Sequence, residues 1–253
     1  MTTFDFSKRT ILITGAASGI GAATAHWLAA NGAGRLVLID RDSKELGEGK
    51  FGCEVLAFAG DVGNAAFWDS LDADLPVLDH AVLNAGVSSA SPIDQTSFEE
   101  WRRVMSANLD GAFLSLRTSL RHVRDGASIV LTSSVNGVKA EPGTAAYGAS
   151  KAGVIQLAKV AAKEAAARNI RVNVIAPGGV DTPIWDEMPF FRQMVLEHGS
   201  DRSAAIAAMA KAATPLARFA AAEEIACQIG FLLSDLASTV TGAMLVSDGG
   251  YSL

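Results

Sequence analysis

The sequence predicts a single-domain, doubly wound α/β fold, with one seven-stranded parallel sheet and helices on both faces. Three observations carry this. Short apolar runs alternate with longer helical stretches along all 253 residues, the order that builds strand–helix–strand crossovers. The runs are apolar throughout instead of alternating with polar residues, as burial on both faces demands. At residues 10–31 a strand, a glycine-rich turn and a helix follow directly on one another, the context of a Rossmann dinucleotide-binding unit.

Thr10 to Thr14 reads as the first buried strand, and the alanine-rich stretch Ala22 to Asn31 as the first helix. Arg35 to Ile39 is the second strand and Val55 to Phe58 the third. Ala81-Val82-Leu83 lies in the fourth, and Ser128 to Ser134 forms the fifth. Long helices are expected over Phe98 to Val123 and Thr144 to Arg168. Val172 to Ile175 is the sixth strand and Ala243 to Val246 the last. No linker, repeat or low-complexity tract divides the chain, so residues 1–253 read as one domain.

The turn Gly15-Ala16-Ala17-Ser18-Gly19-Ile20-Gly21 has the spacing Gly-x-x-x-Gly-x-Gly. Gly15 permits a tight turn, Gly19 lets backbone approach a pyrophosphate, and Gly21 allows close packing. The helix that follows aims its free N–H groups and positive dipole end at phosphate. Asp40 ends the second strand, nineteen residues after Gly21, where an acid meets the adenosine ribose hydroxyls. A carboxylate there accepts hydrogen bonds from a ribose diol and repels a 2′-phosphate. Such charged bonds are worth about 1.5–3 kcal/mol, or ten- to a hundredfold in affinity. No Arg or Lys stands between Gly15 and Gly21. The expected cofactor is therefore NAD rather than NADP, with Arg41 the one neighbouring cation able to fold back as a phosphate clamp.

Tyr147 precedes Lys151 by four residues, and Ser134 lies thirteen residues upstream of Tyr147. On a helix, an i,i+4 pair shares one face. A phenol, with a pKa of about 10, becomes a useful base only when a cation favours its charged form. The three side chains supply a phenol, an ammonium and a hydroxyl around one carbonyl or alcohol carbon.

With both ends in view, the chain resembles the short-chain dehydrogenase/reductase family, in its compact single-domain branch, over essentially its whole length. The motifs are Thr14 to Gly21, Asp61-Val62, Asn84-Ala85-Gly86, Asn108, Ser134 with Tyr147 and Lys151, and Pro177-Gly178-Gly179-Val180-Asp181-Thr182. Leu83 departs from the asparagine often found there, and a small packing change is expected. The resemblance implies a catalytic set of Asn108, Ser134, Tyr147 and Lys151. Tyr147 would move the proton, Lys151 hold the nicotinamide ribose, Ser134 hydrogen-bond the substrate oxygen, and Asn108 fix its helix and hold a water. It implies cofactor contacts from Gly15, Ser18, Gly19, Ile20, Gly21, Asp40, Asp61, Val62, Asn84, Ala85, Gly86, Tyr147, Lys151, Pro177, Gly178, Val180 and Thr182. The expected reaction is hydride transfer between NAD and a secondary alcohol or ketone. The alternatives are an NADPH-linked 3-oxoacyl thioester reductase and, in another class, a non-catalytic NAD-sensing protein. The faces of the two long helices and the segment Ala243 to Leu253 resemble dimer and tetramer contacts, implying a homotetramer.

Residues 183–215 interrupt the strand–helix rhythm and carry Trp185, Met188, Phe190, Phe191 and Met194. They read as a substrate lid hinged near Gly199 over the switch-point crevice. Its apolar character favours a substrate with a hydrophobic or cyclic body, and His198 is expected to be exposed. The segment after Ser134 lines the other wall, where Asn136 either meets substrate or caps the turn. Lys139 and Glu141 are expected to be solvated.

A net charge of −6 and scattered basic residues argue against nucleic acid. No apolar run reaches about 18 residues, which argues against a membrane span. The first nine residues lack a signal-peptide core, so a cytoplasmic protein is expected. Cys53 and Cys227 are expected to be buried free thiols. The four histidines have no ligand spacing, and no metal is expected.

Overall fold

β1 (Thr10–Thr14) and β2 (Arg35–Asp40) pair in parallel, and Thr10 to Thr14 register on Arg35 to Ile39. The computed structural model describes residues 4–42, 46 and 51–253. Met1 to Thr3, part of the stretch read for a signal core, lie outside the described residues. β3 (Glu54–Ala59), β4 (Leu78–Leu83), β5 (Val123–Thr132), β6 (Arg171–Pro177) and β9 (Met244–Ser247) complete a seven-stranded sheet. Its order is β3-β2-β1-β4-β5-β6-β9, and every pairing is parallel.

Side chains alternate across this sheet, because successive residues of a strand point to opposite faces. Ile11, Ile13, Leu36 and Leu38 pack on one side with Ala25 and Leu28 of α1 (Gly19–Ala30) and Ile225, Ile229 and Leu232 of α8 (Ala222–Leu233). Leu12, Val37, Ile39 and Ile129 pack on the other. Their partners are Trp68 of α2 (Ala65–Leu71), Leu114 and Leu116 of α4 (Gly111–His122), and Val154 and Ala158 of α5 (Ala145–Glu164). Both faces are thus dry, which is why the strands carry no polar alternation. Leu83, the departure noted above, is buried in the second of these clusters.

Two helices differ from their sequence outlines. α1 begins at Gly19, inside the glycine turn. The long helix after Ser97 is α3 (Phe98–Met105) joined to α4 by a π-helical turn at Ser106–Asp110. The apolar spacing was read as one continuous helix, whereas the winding changes at Ser106–Asp110.

The segment after β6 leaves through β7 (Val180–Asp181) and returns through β8 (Ala220–Ala221), which pair in a separate parallel ladder. Between them lie α6 (Pro189–Glu197) and α7 (Arg202–Ala213). Their small core is Phe191, Ala205 and Ile206, flanked by Trp185, Met188, Met194, Met209 and Phe219. Cys53 is only partly buried and Cys227 is exposed, correcting the expectation of buried thiols. Cys227 takes the solvent side of α8, whose buried stripe is Ile225, Ala226 and Ile229. Among the described residues, no helix is long and apolar enough to cross a membrane.

Candidate active site

β1 and β4 are neighbours from which the chain proceeds in opposite directions along the sheet, and crevices form at the carboxyl ends of such strands. A cleft of about 1210 Å³ opens there. Its lining includes every residue expected to bind cofactor except Gly21, and it reaches Asp40 at one end and the lid at the other. Ser134, Tyr147 and Lys151 all line it, whereas Asn108 lies just behind.

The glycine loop is held open by backbone geometry. Gly15 has φ +67° and Gly19 φ +54°, conformations that favour glycine. A Cβ on Gly21 would stand 1.9 Å from the Gly15 carbonyl oxygen, so the loop folds tightly onto its own helix. The Thr14 hydroxyl accepts the Asn84 and Ala85 N–H groups at 3.0 and 3.1 Å, fastening the end of β1 to the residues after β4. Sequence reading noted Thr14 only as part of the motif; a hydroxyl closing an otherwise apolar strand was the available signal. Ser18 makes no capping bond from its side chain, and the first turn of α1 carries no acid. The first N–H groups of the helix are thereby left for an anion. Asp40 accepts the Ala17 N–H at 3.0 Å and the Asp42 N–H at 3.1 Å, so its carboxylate sits against the loop. Asp61 accepts the Gly63 N–H at 2.9 Å, and Val62 is buried beside it. Thr182 faces Gly19, with carbons 3.4 Å from a Cβ placed on that glycine. β9 backs the segment between, where the Gly178 N–H donates to the Ser247 carbonyl at 2.9 Å. This open glycine loop, its uncapped helix end and the acid at Asp40 fit a dinucleotide.

At the other end, Ser134 follows β5 and Tyr147 stands in the first turn of α5. Burial pushes the Tyr147 phenol above its ordinary value, and a hydrogen bond with Ser134 pulls it part of the way back. Lys151 is buried, and its Nζ donates to the Thr132 carbonyl at 3.0 Å. Burial brings this ammonium down to about 8. Its nitrogen lies 5.7 Å from the centre of the Tyr147 ring. In the protein by itself, desolvation therefore outweighs the expected lowering of the phenol, and Tyr147 is held as a proton donor.

Asn108 sits in the π turn with all its polar atoms engaged. Its Oδ1 accepts the Val87 N–H at 2.7 Å, and its Nδ2 donates to the Val87 carbonyl and the Ser150 hydroxyl, both at 3.0 Å. A Cβ on Gly86 would stand 3.1 Å from Asn108 Oδ1 and 3.2 Å from Lys151 Nζ. That glycine therefore lets Asn108, Lys151 and the strand end converge. Ser150 and Ser133, whose hydroxyl donates to the Lys151 carbonyl at 2.8 Å, are supports that sequence reading did not single out.

His198 is exposed, and its Nδ1 lies 2.9 Å from the Met194 carbonyl, outside the cleft. Asn136 lines the cleft, while the turn is capped by Ser134, whose Oγ accepts the Asn136 N–H at 3.2 Å. Glu141 is exposed, as expected, and Lys139 is half-buried, and both also hold Tyr251: Lys139 Nζ donates to the Tyr251 carbonyl at 2.7 Å, and the Tyr251 hydroxyl donates to Glu141. Contacts between segments more than a hundred residues apart leave no local pattern to read.

A family model described as Enoyl-(Acyl carrier protein) reductase matches residues 15–252. The chain is 34% identical to the Short-chain dehydrogenase/reductase aba4 of Botryotinia fuckeliana, over 99% of each chain. It belongs to the short-chain dehydrogenase/reductase family. Another relative, at 36% identity over 98% of each chain, is the cis-4-hydroxycyclohexanecarboxylate dehydrogenase of Sinomonas cyclohexanicum. Among solved structures, L-sorbose reductase from Gluconobacter frateurii, complexed with NADPH and L-sorbose, is similar with a TM-score of 0.91. It is 30% identical, and the match covers 99% of this chain and 98% of that one. This short-chain dehydrogenase/reductase is accordingly an oxidoreductase that uses a nicotinamide cofactor.

Proposed function

We propose that the protein interconverts a secondary alcohol and its ketone, with Tyr147 as acid and base, on substrates with an apolar or cyclic body. The observation that carries this is the convergence of Ser134, Tyr147 and Lys151 beside Gly86 in one cleft. The nicotinamide, when bound, supplies the hydride chemistry. Tyr147 gives its phenolic proton to the ketone oxygen in reduction and takes it back in oxidation. The Ser134 hydroxyl steadies charge on that oxygen. Lys151 binds the ribose, and its positive charge favours the phenolate. Asn108 positions Val87 and Ser150, and through them the floor of the site. Residues 183–215 act as the lid, held at their base by the β7–β8 ladder and by Arg202, which bonds Asp181 and Asp186.

NAD is the proposed dinucleotide, because the Asp40 carboxylate meets the loop where a 2′-phosphate would have to lie. A second reading, an NADPH-linked reductase of acyl thioesters, is favoured by Arg41, which lines the same end of the cleft, and by the description of the matching family model. We assign the assembled form as a homotetramer, supported by the exposed apolar residues on the long helices and after β9.

The test is a panel of cyclic and aliphatic secondary alcohols with NAD⁺ or NADP⁺, alongside acetoacetyl thioester with NADH or NADPH, following absorbance of the reduced cofactor. Oxidation of cyclic alcohols with NAD⁺ supports the proposal, and thioester reduction with NADPH alone supports the second reading. Tyr147→Phe is expected to lower kcat by roughly a thousandfold while the protein still binds dinucleotide. Retained turnover in that variant rules out the assigned role.

A further inference from the structure

The reacting carbon is only one end of a substrate, and the other charges lining the cleft bear on what the rest of the substrate can carry. Two distant segments meet there. Lys139 Nζ donates to the Tyr251 carbonyl and stands 3.6 Å from the centre of the Tyr251 ring. The Tyr251 hydroxyl donates to Glu141, and burial together with that carboxylate pushes the phenol up to about 12. Tyr251 therefore remains an uncharged donor bound to an anion. Glu141 and Tyr251 line the cleft, whereas Lys139 does not. A bridge from Ser91 to Thr144, with the Ser91 N–H donating to the Gly143 carbonyl at 2.8 Å, joins this wall to the loop after β4.

Glu187, from the lid, lines the same cleft. The cations nearby are engaged, Arg103 with Glu187 as well as with Glu100. Arg103 grips Glu100 through Nε and Nη2 at 2.7 and 2.8 Å and gives Nη2 to the Ser88 carbonyl at 2.8 Å. Arg41 follows β2, three strands from β5, whose end leads into the Glu141 wall. Lys151 belongs to the reacting centre. A carboxylate is an acceptor only, so Glu141 welcomes a hydroxyl that donates and repels a second anion.

We infer that Glu141 and Tyr251, with Glu187 lining the same cleft, determine specificity by admitting uncharged, hydroxyl-bearing bodies and turning away carboxylates. The inference rests on the alcohol–ketone reading and narrows its substrate class.

The test compares 4-hydroxycyclohexanone with 4-oxocyclohexanecarboxylate, each reduced with NADH or NADPH by the wild-type protein and by the E141Q/E187Q variant. The wild type is expected to favour the neutral ketone in kcat/KM. The variant is expected to narrow that preference by about tenfold, through KM for the carboxylate, as loss of like-charge contacts would. Added salt should narrow the gap in the wild type and leave the variant's ratio unmoved, a response that a purely structural role for these residues would not give. Equal use of both ketones by the wild type at low salt overturns the inference. So does an unchanged ratio in a variant that melts like the wild type. If the wild type reduces neither ketone, the wall is judged by binding, and the reaction reading by the alcohol panel. The cofactor-loaded variant should then gain a carboxylate-induced rise in Tm that the wild type lacks, and equal shifts reject the wall.

Discussion

At the scale of the residue, Lys151 shows how the site opposes the fold. Its ammonium is buried and donates to the Thr132 carbonyl, and burial brings its pKa from 10.5 to about 8. A gap of that size corresponds to roughly 3 kcal/mol of destabilisation when the group is charged. Because the folded value lies below the unfolded one, the unfolded chain holds more protons between about 8 and 10.5. Stability therefore rises with pH across that window and is lowest, on this account, below it. Lys151→Met is expected to raise Tm at neutral pH, to flatten the alkaline rise in Tm, and to abolish turnover. Calorimetry across pH checks the first two, and a variant less stable than the wild type at pH 7 would contradict the assignment. The i,i+4 spacing of Tyr147 and Lys151 was legible in the sequence. The direction of the phenol's shift was not, since it depends on how deeply the surrounding chain encloses the ring.

At the scale of the element, the π turn at Ser106–Asp110 is the device that turns Asn108 toward the strand end. Such turns cluster at functional positions because they redirect one side chain without ending the helix. Asn108→Ala would orphan the Val87 N–H and carbonyl, both served by that side chain. With each orphaned group costing about 1–3 kcal/mol, urea unfolding should show a loss of about 3 kcal/mol and weaker dinucleotide binding. A loss under about 0.5 kcal/mol would mean that water replaces the amide. The buried centres of the sheet strands were readable, because double-sided burial writes itself as unbroken apolar runs, but β5 begins at Val123, read as the end of a helix, and stops at Thr132, short of the expected Ser134. The supports were not: Thr14, Ser133 and Ser150 are short polar residues whose partners lie in other elements.

At the scale of the whole molecule, six of the exposed apolar side chains lie on the elements proposed to join the subunits. Phe98, Phe113 and Val160 project from α3, α4 and α5, while Phe231, Val246 and Leu253 lie on α8, on β9 and after it. Exposed apolar patches of this kind mark association surfaces. If the proposed homotetramer is the assembled form, Phe113→Arg with Val160→Glu is expected to halve its mass in light scattering, leaving dimers built through the other region. An unchanged mass would remove α4 and α5 from the interface. Sequence periodicity located these helices but could not separate inward from outward apolar residues, since Ala, Leu and Val occupy both faces of each.

The neighbouring strands β1 and β4 carry a kinetic consequence. Ile11 pairs with His80 and Leu12 with Ala81, partners separated by most of the first third of the chain. Closing so long a loop is slow, because its entropy is lost before any pairing energy is gained. The crevice that would receive a dinucleotide forms only once that closure is complete. A ligand added during renaturation should therefore leave the refolding rate alone and act by retarding escape from the native state.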